Sequence, residues 1–161
     1  MKKSIIFIIM AIMAIASSIS AHAEQCKVSA AAQFLYASKH SMAGLGVQVQ
    51  VEPATNFRLA PELNYYFEND GLSALNASLN LHYVIHTSNV FALYPLVGFT
   101  YGHYKMDIHM GDSTKDRCGA NVGLGAQYRI QDRLHFFTEA RFQIMKDYNQ
   151  SVTVLGLKYT F

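Results

Sequence analysis

The densest group of side chains that could do chemistry lies between residues 103 and 116. Imidazoles and carboxylates in one short segment could bind a metal ion, or a histidine and an aspartate could activate the hydroxyl of Ser113. However, no two histidines stand at a fixed spacing on one element, and Ser113 lies in no recognisable nucleophile motif. The pattern therefore favours a solvated loop over a metal site or a hydrolase centre. The group comprises His103, Asp107, His109, Asp112, Lys115 and Asp116.

Further charged residues are spread along segments in which apolar and polar residues alternate. Alternation with a period of two indicates β-strands, because successive side chains of a strand point to opposite faces. No segment after residue 24 shows sustained helical periodicity, and clusters of Gly, Asn, Asp and Ser mark turns between the alternating segments. These patterns predict eight strands, at 27–37, 42–51, 56–67, 74–85, 90–104, 118–130, 134–145 and 151–161.

Eight such strands joined by short connections predict an all-β, eight-stranded antiparallel up-and-down barrel. One face of each strand is apolar, as at Leu75 and Leu79, whereas the other carries small and polar residues such as Asn76 and Ser78. The interior of an eight-stranded barrel is only just wide enough for side chains to fill. The side chains of the apolar faces are too many and too large to fit into that interior. We therefore expect the apolar faces to point into lipid, as in a transmembrane β-barrel. The alternative is a soluble, lipocalin-like barrel with the apolar faces inward.

Two prolines, Pro61 and Pro95, fall inside predicted strands. A proline has no backbone N–H, so each should remove one hydrogen bond from the ladder, and we expect a β-bulge at each position. In a closed barrel every strand has two neighbours, so neither proline can lie on a free edge.

Charged residues on the predicted inward faces come in nearly balanced signs. Charges confined in a narrow lumen must pair, so this balance favours an ionic network that plugs the barrel. A narrow selective pore that uses the same charges is the alternative. His82 and His135 also face inward, and we expect them to be hydrogen-bonded interior residues. The predicted lumen ionic network comprises Arg58, Glu62, Arg129, Glu139, Arg141 and Lys158.

The N-terminal segment has the features of an export signal. Two lysines precede an apolar stretch over residues 5–16, and Ala21 and Ala23 are the small residues that a signal peptidase requires. We expect residues 1–23 to be a cleaved signal peptide and residues 24–161 to form the barrel domain. The chain holds 13 Lys and Arg, two of them in the signal, against 11 Asp and Glu. The mature domain would then carry no net charge, and nothing indicates a nucleic-acid partner.

The two cysteines, Cys26 and Cys118, are candidates for a disulfide in an oxidising compartment. In the predicted barrel Cys26 begins the first strand and Cys118 begins the sixth, so the two lie at opposite ends. A wall of about 25 Å separates the two ends, whereas a disulfide needs Cα atoms within about 7 Å of each other. We therefore expect no intramolecular disulfide.

Three motifs resemble the small eight-stranded outer-membrane barrels, namely the OmpA-type membrane domain and the OmpX-like proteins. The segment 57–67, FRLAPELNYYF, is similar to the R-x-x-P-E-x-x-Y third strand of many of these barrels. The segment 123–128, GLGAQY, is similar to their G-x-G-x-x-Y sixth strand. The last strand resembles their C-terminal assembly signal, an alternating apolar stripe that here comprises Leu155, Leu157, Tyr159 and Phe161.

This resemblance implies a multi-pass protein of the bacterial outer membrane with its N-terminus in the periplasm. It also implies partners: outer-membrane lipid and lipopolysaccharide, and, during biogenesis, the barrel-assembly machinery and periplasmic chaperones. It identifies no extracellular ligand. The connections implied to be extracellular are 38–41, 68–73, 105–117 and 146–150. Those implied to be periplasmic are 52–55, 86–89 and 131–133.

For function, the sequence favours a non-enzymatic integral barrel with a structural or surface-interaction role and with no cofactor or metal. A narrow passive pore for ions or small solutes is the first alternative. A lipid A-modifying enzyme is the second, because barrels that edit lipid A place catalytic residues near the outer rim, where residues 103–116 would lie. Apart from the connection at 105–117, the outer connections are short, which argues against a large adhesive surface.

Overall fold

The computed structural model describes residues 27–69, 71–108, 111–145 and 149–161. These ranges are almost entirely β-strand, and they contain no helix long and apolar enough to span a membrane. The strands are β1 (Lys27–Ala37), β2 (Met42–Ala54), β3 (Phe57–Asn69), β4 (Leu72–Tyr83), β5 (Ile85–His86), β6 (Phe91–Ile108), β7 (Gly111–Arg129), β8 (Leu134–Met145) and β9 (Gln150–Thr160).

The strands form a closed antiparallel barrel. Apart from β4 and β5, strands that follow one another in the chain pair with one another, and β1 pairs with β9, so the first and last strands are neighbours. The strand β4 pairs with β6, and the two-residue β5, which follows β4 in the chain, pairs with the next part of the same strand β6. Because β4 and β5 share one position in the wall, the barrel has eight positions, and the predicted all-β, eight-stranded, up-and-down barrel is confirmed.

The two ends of the barrel differ. At the end that we call the terminal end, β1 begins and β9 finishes, and the connections 55–56, 87–90 and 130–133 are short. The opposite end, the hairpin end, is dominated by β6 and β7, which contain 18 and 19 residues. A tilted strand needs only about 9–11 residues to cross a bilayer. In the described ranges the hairpin extends past its neighbours by different lengths: residues 111–118 of β7 lie beyond its last pair with β8, and residues 107–108 of β6 lie beyond its last pair with β4.

The predicted connection at 105–117 is wrong, because most of it continues β6 and β7. The pairing runs without a break from Phe91 opposite Tyr128 to Ile108 opposite Gly111. The polar composition of this segment led to the loop prediction, but a hairpin can leave the lipid and keep its ladder, since water accepts polar side chains on paired strands. The polar composition of this segment therefore does not mark the end of either strand.

Pro95 lies on β6 with its side chain outward, beside the interruption between β4 and β5. The ladder between β6 and the β4–β5 line pauses at Tyr83 and Val84, opposite Pro95 and Tyr94, and resumes in the same register. On its other side, Val84 continues the register between β3 and β4: its N–H donates to the Asn56 carbonyl at 2.7 Å, and its carbonyl accepts from Asn56 Nδ2 at 2.8 Å. The missing N–H of Pro95 explains the pause without any inserted residue.

The bulges expected at the two prolines are wrong. Pro61 keeps its partner on β4, and on its other side the β2–β3 ladder lacks pairs near the proline but keeps its register. The register shifts lie elsewhere, between Val51 and Ala54 and between Tyr66 and Asn69. A bulge adds a residue to one strand, whereas a proline only removes a donor, so one does not require the other.

Side-chain exposure follows the predicted inside-out pattern. Outward side chains are apolar and well exposed, for example Leu124 at 66% and Leu45 at 55%. Inward polar side chains are buried, for example Glu62 at 1% and Asn80 at 0%. This is the reverse of a soluble protein, and the lipocalin-like alternative does not fit it.

Candidate functional site

The lumen of the barrel is the candidate functional site, because it collects the buried polar side chains. It is filled in three layers along the barrel: an apolar layer toward the hairpin end, an ionic cluster in the middle and a cationic cavity at the terminal end. As a whole the lumen is balanced in charge, but the two signs are unevenly distributed. The charged residues are the basic Arg58, Arg141 and Lys158 and the acidic Glu52, Glu62 and Glu139.

At the centre of the ionic cluster, the Arg141 guanidinium lies between two carboxylates. Arg141 and Glu139 share the inward face of β8 because they are two residues apart, and Glu62 reaches them from β3. Arg141 Nη1 and Nη2 donate to Glu62 Oε1 and Oε2 at 2.5 and 2.9 Å. Its Nε donates to Glu139 Oε2 at 2.6 Å. These three side chains are at most 1% exposed, so a bidentate buried ion pair joins opposite walls of the barrel.

Neutral donors complete the coordination of Glu62. Its Oε2 accepts from Gln33 Nε2 and Gln48 Nε2, both at 3.1 Å, and its Oε1 accepts from Asn64 Nδ2 at 3.0 Å. A buried carboxylate is costly unless its lone pairs are satisfied. The amides therefore stabilise a cluster that contains one more acidic than basic group.

Tyr94 connects the ionic cluster to the cavity at the terminal end. Its hydroxyl donates to Glu139 Oε1 at 2.8 Å. His82 stacks on its ring with the centroids 4.8 Å apart, and the Arg58 guanidinium lies 5.5 Å from the ring centroid. Gly125 on β7 leaves space for the ring, since a Cβ at this position would collide with it. The glycine is thus required by the close approach of Tyr94 to the wall.

The two inward histidines are placed in the lumen as predicted, but their contacts differ from the expectation. His82 is fully buried, and His135 is 8% exposed. Among the described residues, neither ring nitrogen of His82 has a hydrogen-bond partner, and the same holds for Nδ1 of His135. The expectation of a hydrogen-bonded His82 is wrong, because stacking on Tyr94 takes the place of a polar partner.

Toward the hairpin end, apolar side chains close the lumen. Tyr66 and Tyr104 are 2% and 5% exposed, and the Tyr104 hydroxyl lies 3.6 Å from Met145 Sδ. Our sequence reasoning treated the inward faces as small and polar and missed this layer. The signal was present, because large apolar residues occupy inward positions near the strand ends. The apolar layer includes Leu35, Ala37, Met42, Tyr66, Leu72, Ala74, Tyr104, Met145, Val152 and Val154.

At the terminal end, the lumen opens into a cavity of about 360 Å³, which we call the vestibule. Arg58 and Lys158 are each 2% exposed there. Arg58 Nε and Nη2 lie 2.9 and 2.8 Å from Glu52 Oε1, and Lys158 Nζ lies 3.9 Å from the same oxygen. Lys158 Nζ also donates to Gln127 Oε1 at 2.8 Å. The sequence placed Glu52 in a predicted turn, but β2 continues to Ala54 and brings the carboxylate to the vestibule.

The six residues predicted for the lumen network do not form one continuous network. Three of them make the ionic cluster, and two lie buried in the vestibule. The sixth, Arg129, is exposed on the rim of the vestibule. It is the last residue of β7, where the strand reaches the end of the wall.

The polar group at residues 103–116 lies on the β6–β7 hairpin, where His103 still pairs with Leu75 of β4 and Asp116 has passed the last pair between β7 and β8. His103 and Asp116 are opposite each other, with Nδ1 and Oδ1 2.6 Å apart, and their side chains are 39% and 56% exposed. Lys115 is exposed beside them. In the described ranges, no group of three or more His, Cys, Asp or Glu is placed to hold a metal ion. The side chains of Asp107, His109, Asp112 and Ser113 lie outside the described residues.

Cys118 is free and exposed, and it lies within β7 opposite Tyr101. The prediction that it begins its strand is wrong, because β7 starts at Gly111. Cys26 lies outside the described residues. The absence of a disulfide between the two cysteines therefore stays a prediction.

The predicted C-terminal assembly signal lies on the outward face of the barrel. Leu155, Leu157 and Tyr159 are between 43% and 50% exposed, and Phe161 is 76% exposed. The rings of Tyr159 and Phe161 pack edge to face with their centroids 5.4 Å apart. The stripe is continuous along β9, and its recognition by an assembly machinery stays a prediction.

A family model described as outer membrane protein beta-barrel domain matches residues 7–161 of the sequence. A search of curated proteins finds no match. Several solved structures share the fold. The N-terminal β-barrel domain of Pseudomonas aeruginosa OprF has a TM-score of 0.71 and 15% identity, over 85% of this chain and 100% of that one.

Two further structures are similar over comparable lengths. Neisserial surface protein A (NspA) has a TM-score of 0.68 and 15% identity, over 84% of this chain and 97% of that one. Ail, the attachment invasion locus protein of Yersinia pestis, has a TM-score of 0.63 and 14% identity, again over 84% and 97%. At these identities the structures establish a shared fold and no more.

Proposed function

The chain belongs to the outer membrane β-barrel family, and on that premise we propose a non-enzymatic integral barrel with a closed lumen and a structural or surface-interaction role. Its location is the bacterial outer membrane. The observation that carries the proposal is the filling of the lumen by two successive layers, one apolar and one ionic. A lumen filled in this way supports a structural role in the membrane better than it supports a pore.

Each layer opposes ion passage for a different reason. In the ionic cluster, a permeating ion would have to separate Arg141 from Glu62, which are joined by two hydrogen bonds. In the apolar layer, an ion would lose most of its hydration shell beside apolar side chains such as Leu35, Met42 and Val152. Side-chain motion in one layer would still leave the other in place.

Recordings in planar bilayers test the closed lumen. We expect the folded protein to show no discrete conductance steps. We expect the same of Arg141→Met, because the apolar layer still closes the barrel when the ionic cluster is broken. Heat-dependent mobility in SDS gels would establish that both proteins are folded. Reproducible unitary steps from the wild-type protein would contradict the proposal and favour the passive pore.

The non-enzymatic part of the proposal is supported by the position of the polar group at 103–116. The side chains of His103 and Asp116 are 39% and 56% exposed on the β6–β7 hairpin. Catalytic groups act most strongly in water-excluded sites, where preorganised charges are least screened. An exposed pair on a strand ladder lacks that environment.

We also propose that the terminal end faces the periplasm and the hairpin end faces the exterior. Outer-membrane barrels of this kind have short periplasmic turns and longer extracellular segments, which matches the short connections at one end and the long β6–β7 hairpin at the other. The hairpin would then be the surface available to a partner. One structure of Ail contains the heparin analogue sucrose octasulfate, so a barrel of this fold can carry a ligand site.

A further inference from the structure

We propose that the vestibule binds an oxyanion of the phosphate class, either a free phosphate or the phosphate of a lipid headgroup. The inference is independent of whether the lumen conducts. It rests on the charge of the buried side chains, on a donor without a partner, and on the basic residues of the rim.

The first observation is an excess of buried positive charge. Arg58 and Lys158 are both 2% exposed, and Glu52 is the acid that both approach. One carboxylate offsets one of the two cations. A buried charge that lacks a counter-charge is strongly unfavourable, so an anion that enters the vestibule would stabilise it.

The second observation is the geometry of the Arg58 guanidinium. Its Nε and Nη2 are engaged by Glu52, and one face lies toward the ring of Tyr94. Its Nη1 is buried and has no hydrogen-bond partner among the described residues. Nδ1 of His135, which also lines the vestibule, has no partner among the described residues either, and it would donate to an anion in the tautomer that carries the proton on this nitrogen. Buried donors normally find acceptors, and phosphate oxygens are acceptors that arginine and lysine bind well.

The third observation is the composition of the rim and the size of the cavity. The described lining holds five basic side chains against two acidic ones, Glu52 and Asp132. A terminal carboxylate on Phe161 would reduce this excess to two. At about 30 Å³ for each water, the volume of about 360 Å³ has room for a phosphate with part of its hydration shell. The basic residues are Lys27, Arg58, Arg129, Arg133 and Lys158.

The test is a calorimetric titration of the full, folded barrel in octyl glucoside, an uncharged detergent without phosphate. One arm uses inorganic phosphate, and the other uses dihexanoylphosphatidylglycerol below its micellar concentration. We expect saturable binding with one site per barrel that weakens as salt is added. Saturation by phosphate identifies the free ion as a ligand, and saturation by the lipid alone identifies the headgroup. If neither probe saturates at millimolar concentrations, the proposal is wrong.

Two variants and a control locate the binding. Lys158→Met leaves Arg58 and Glu52 as a neutral pair, and we expect about tenfold weaker binding or complete loss. Arg133→Gln removes an exposed rim charge, which does not threaten folding, and we expect a several-fold loss. Lys115→Met removes the same charge at the hairpin end and should leave binding unchanged. Equal binding by all three variants would mean unspecific attraction and would overturn the proposal.

Discussion

At the scale of single residues, Arg141 organises the middle of the lumen. It is the basic member of a cluster with two buried carboxylates, and it joins β8 to β3 by a bidentate pair. Around it, amides and the Tyr94 hydroxyl satisfy the remaining oxygens. Removing one partner of a buried ion pair destabilises a protein strongly, because the other charge stays buried. Replacing all members of the pair by apolar residues costs much less.

Replacing Arg141 by methionine should therefore destabilise the barrel by about 3–5 kcal/mol, because Glu62 and Glu139 lose their counter-charge while they stay buried. Urea unfolding of the protein in lipid vesicles would measure the change in the free energy of unfolding. The matched control is Arg129→Met, the same substitution at an exposed position, for which we expect a change within about 0.5 kcal/mol.

A second comparison separates lost charge from lost packing. If Glu62→Gln and Glu139→Gln are added to Arg141→Met, the uncompensated charges disappear, and most of the lost stability should return. Equal unfolding free energies for Arg141→Met and Arg129→Met would show that the cluster does not stabilise the barrel.

At the scale of elements, β6 and β7 differ from the other strands. They are longer by several residues, and their ladder continues past the wall into the polar segment that we predicted to be a loop. The pairing of Asp107 with Asp112 and of Ile108 with Gly111 belongs to this extension, whereas His103 on β6 still pairs with β4. Cross-strand pairing fixes the relative positions of the side chains on such an extension, whereas the side chains of a loop of equal length are not fixed in this way.

Hydrogen exchange of the barrel in nanodiscs tests the extension. The hydrogen-bonded amides of residues 107–108 and 114–116 should exchange over minutes to hours, because they belong to the ladder between β6 and β7 although they pair with no other strand in the described ranges. Residues 97–101, inside the wall on the same strand, serve as the protected reference. Exchange of the outer segments within seconds, with the reference still protected, would show that the hairpin is not paired there.

At the scale of the whole molecule, closure and even strand number place both ends of the chain at the same end of the barrel. The order of the strands and the pairing of β1 with β9 establish this arrangement. Closure also leaves no free edge, so every backbone group of the wall can be paired, as the membrane requires. Which end faces the exterior is a separate question that the lengths of the connections address.

Thiol labelling of intact cells tests the orientation. In a chain whose two native cysteines are changed to serine, Lys115→Cys and Arg133→Cys introduce single thiols at the two ends, both at exposed positions. A membrane-impermeant maleimide should label the first in intact cells, and the second only after the outer membrane is permeabilised. The reverse pattern would invert the proposed topology.

The sequence by itself determined the fold class, the membrane-facing surface and most strand positions. These features follow from local information: alternation at Leu75, Asn76 and Leu79 indicates which side chains share a face, and the volume of an eight-stranded interior decides which face is inside. The sequence also identified Glu62, Glu139 and Arg141 as inward charges. Its turn signals were less informative at the ends of β2, β6 and β7, because composition does not show where a ladder stops.

Only the tertiary structure decided which inward side chains meet. Glu62 and Arg141 are 79 residues apart in the chain, and alternation cannot indicate that they lie at the same height across the lumen. That height depends on the stagger and tilt of the closed sheet. For the same reason, the sequence alone did not separate the ionic cluster from the vestibule or predict that Glu52 joins Arg58 and Lys158. Alternation assigns a face to each residue, whereas closure of the sheet assigns its neighbours.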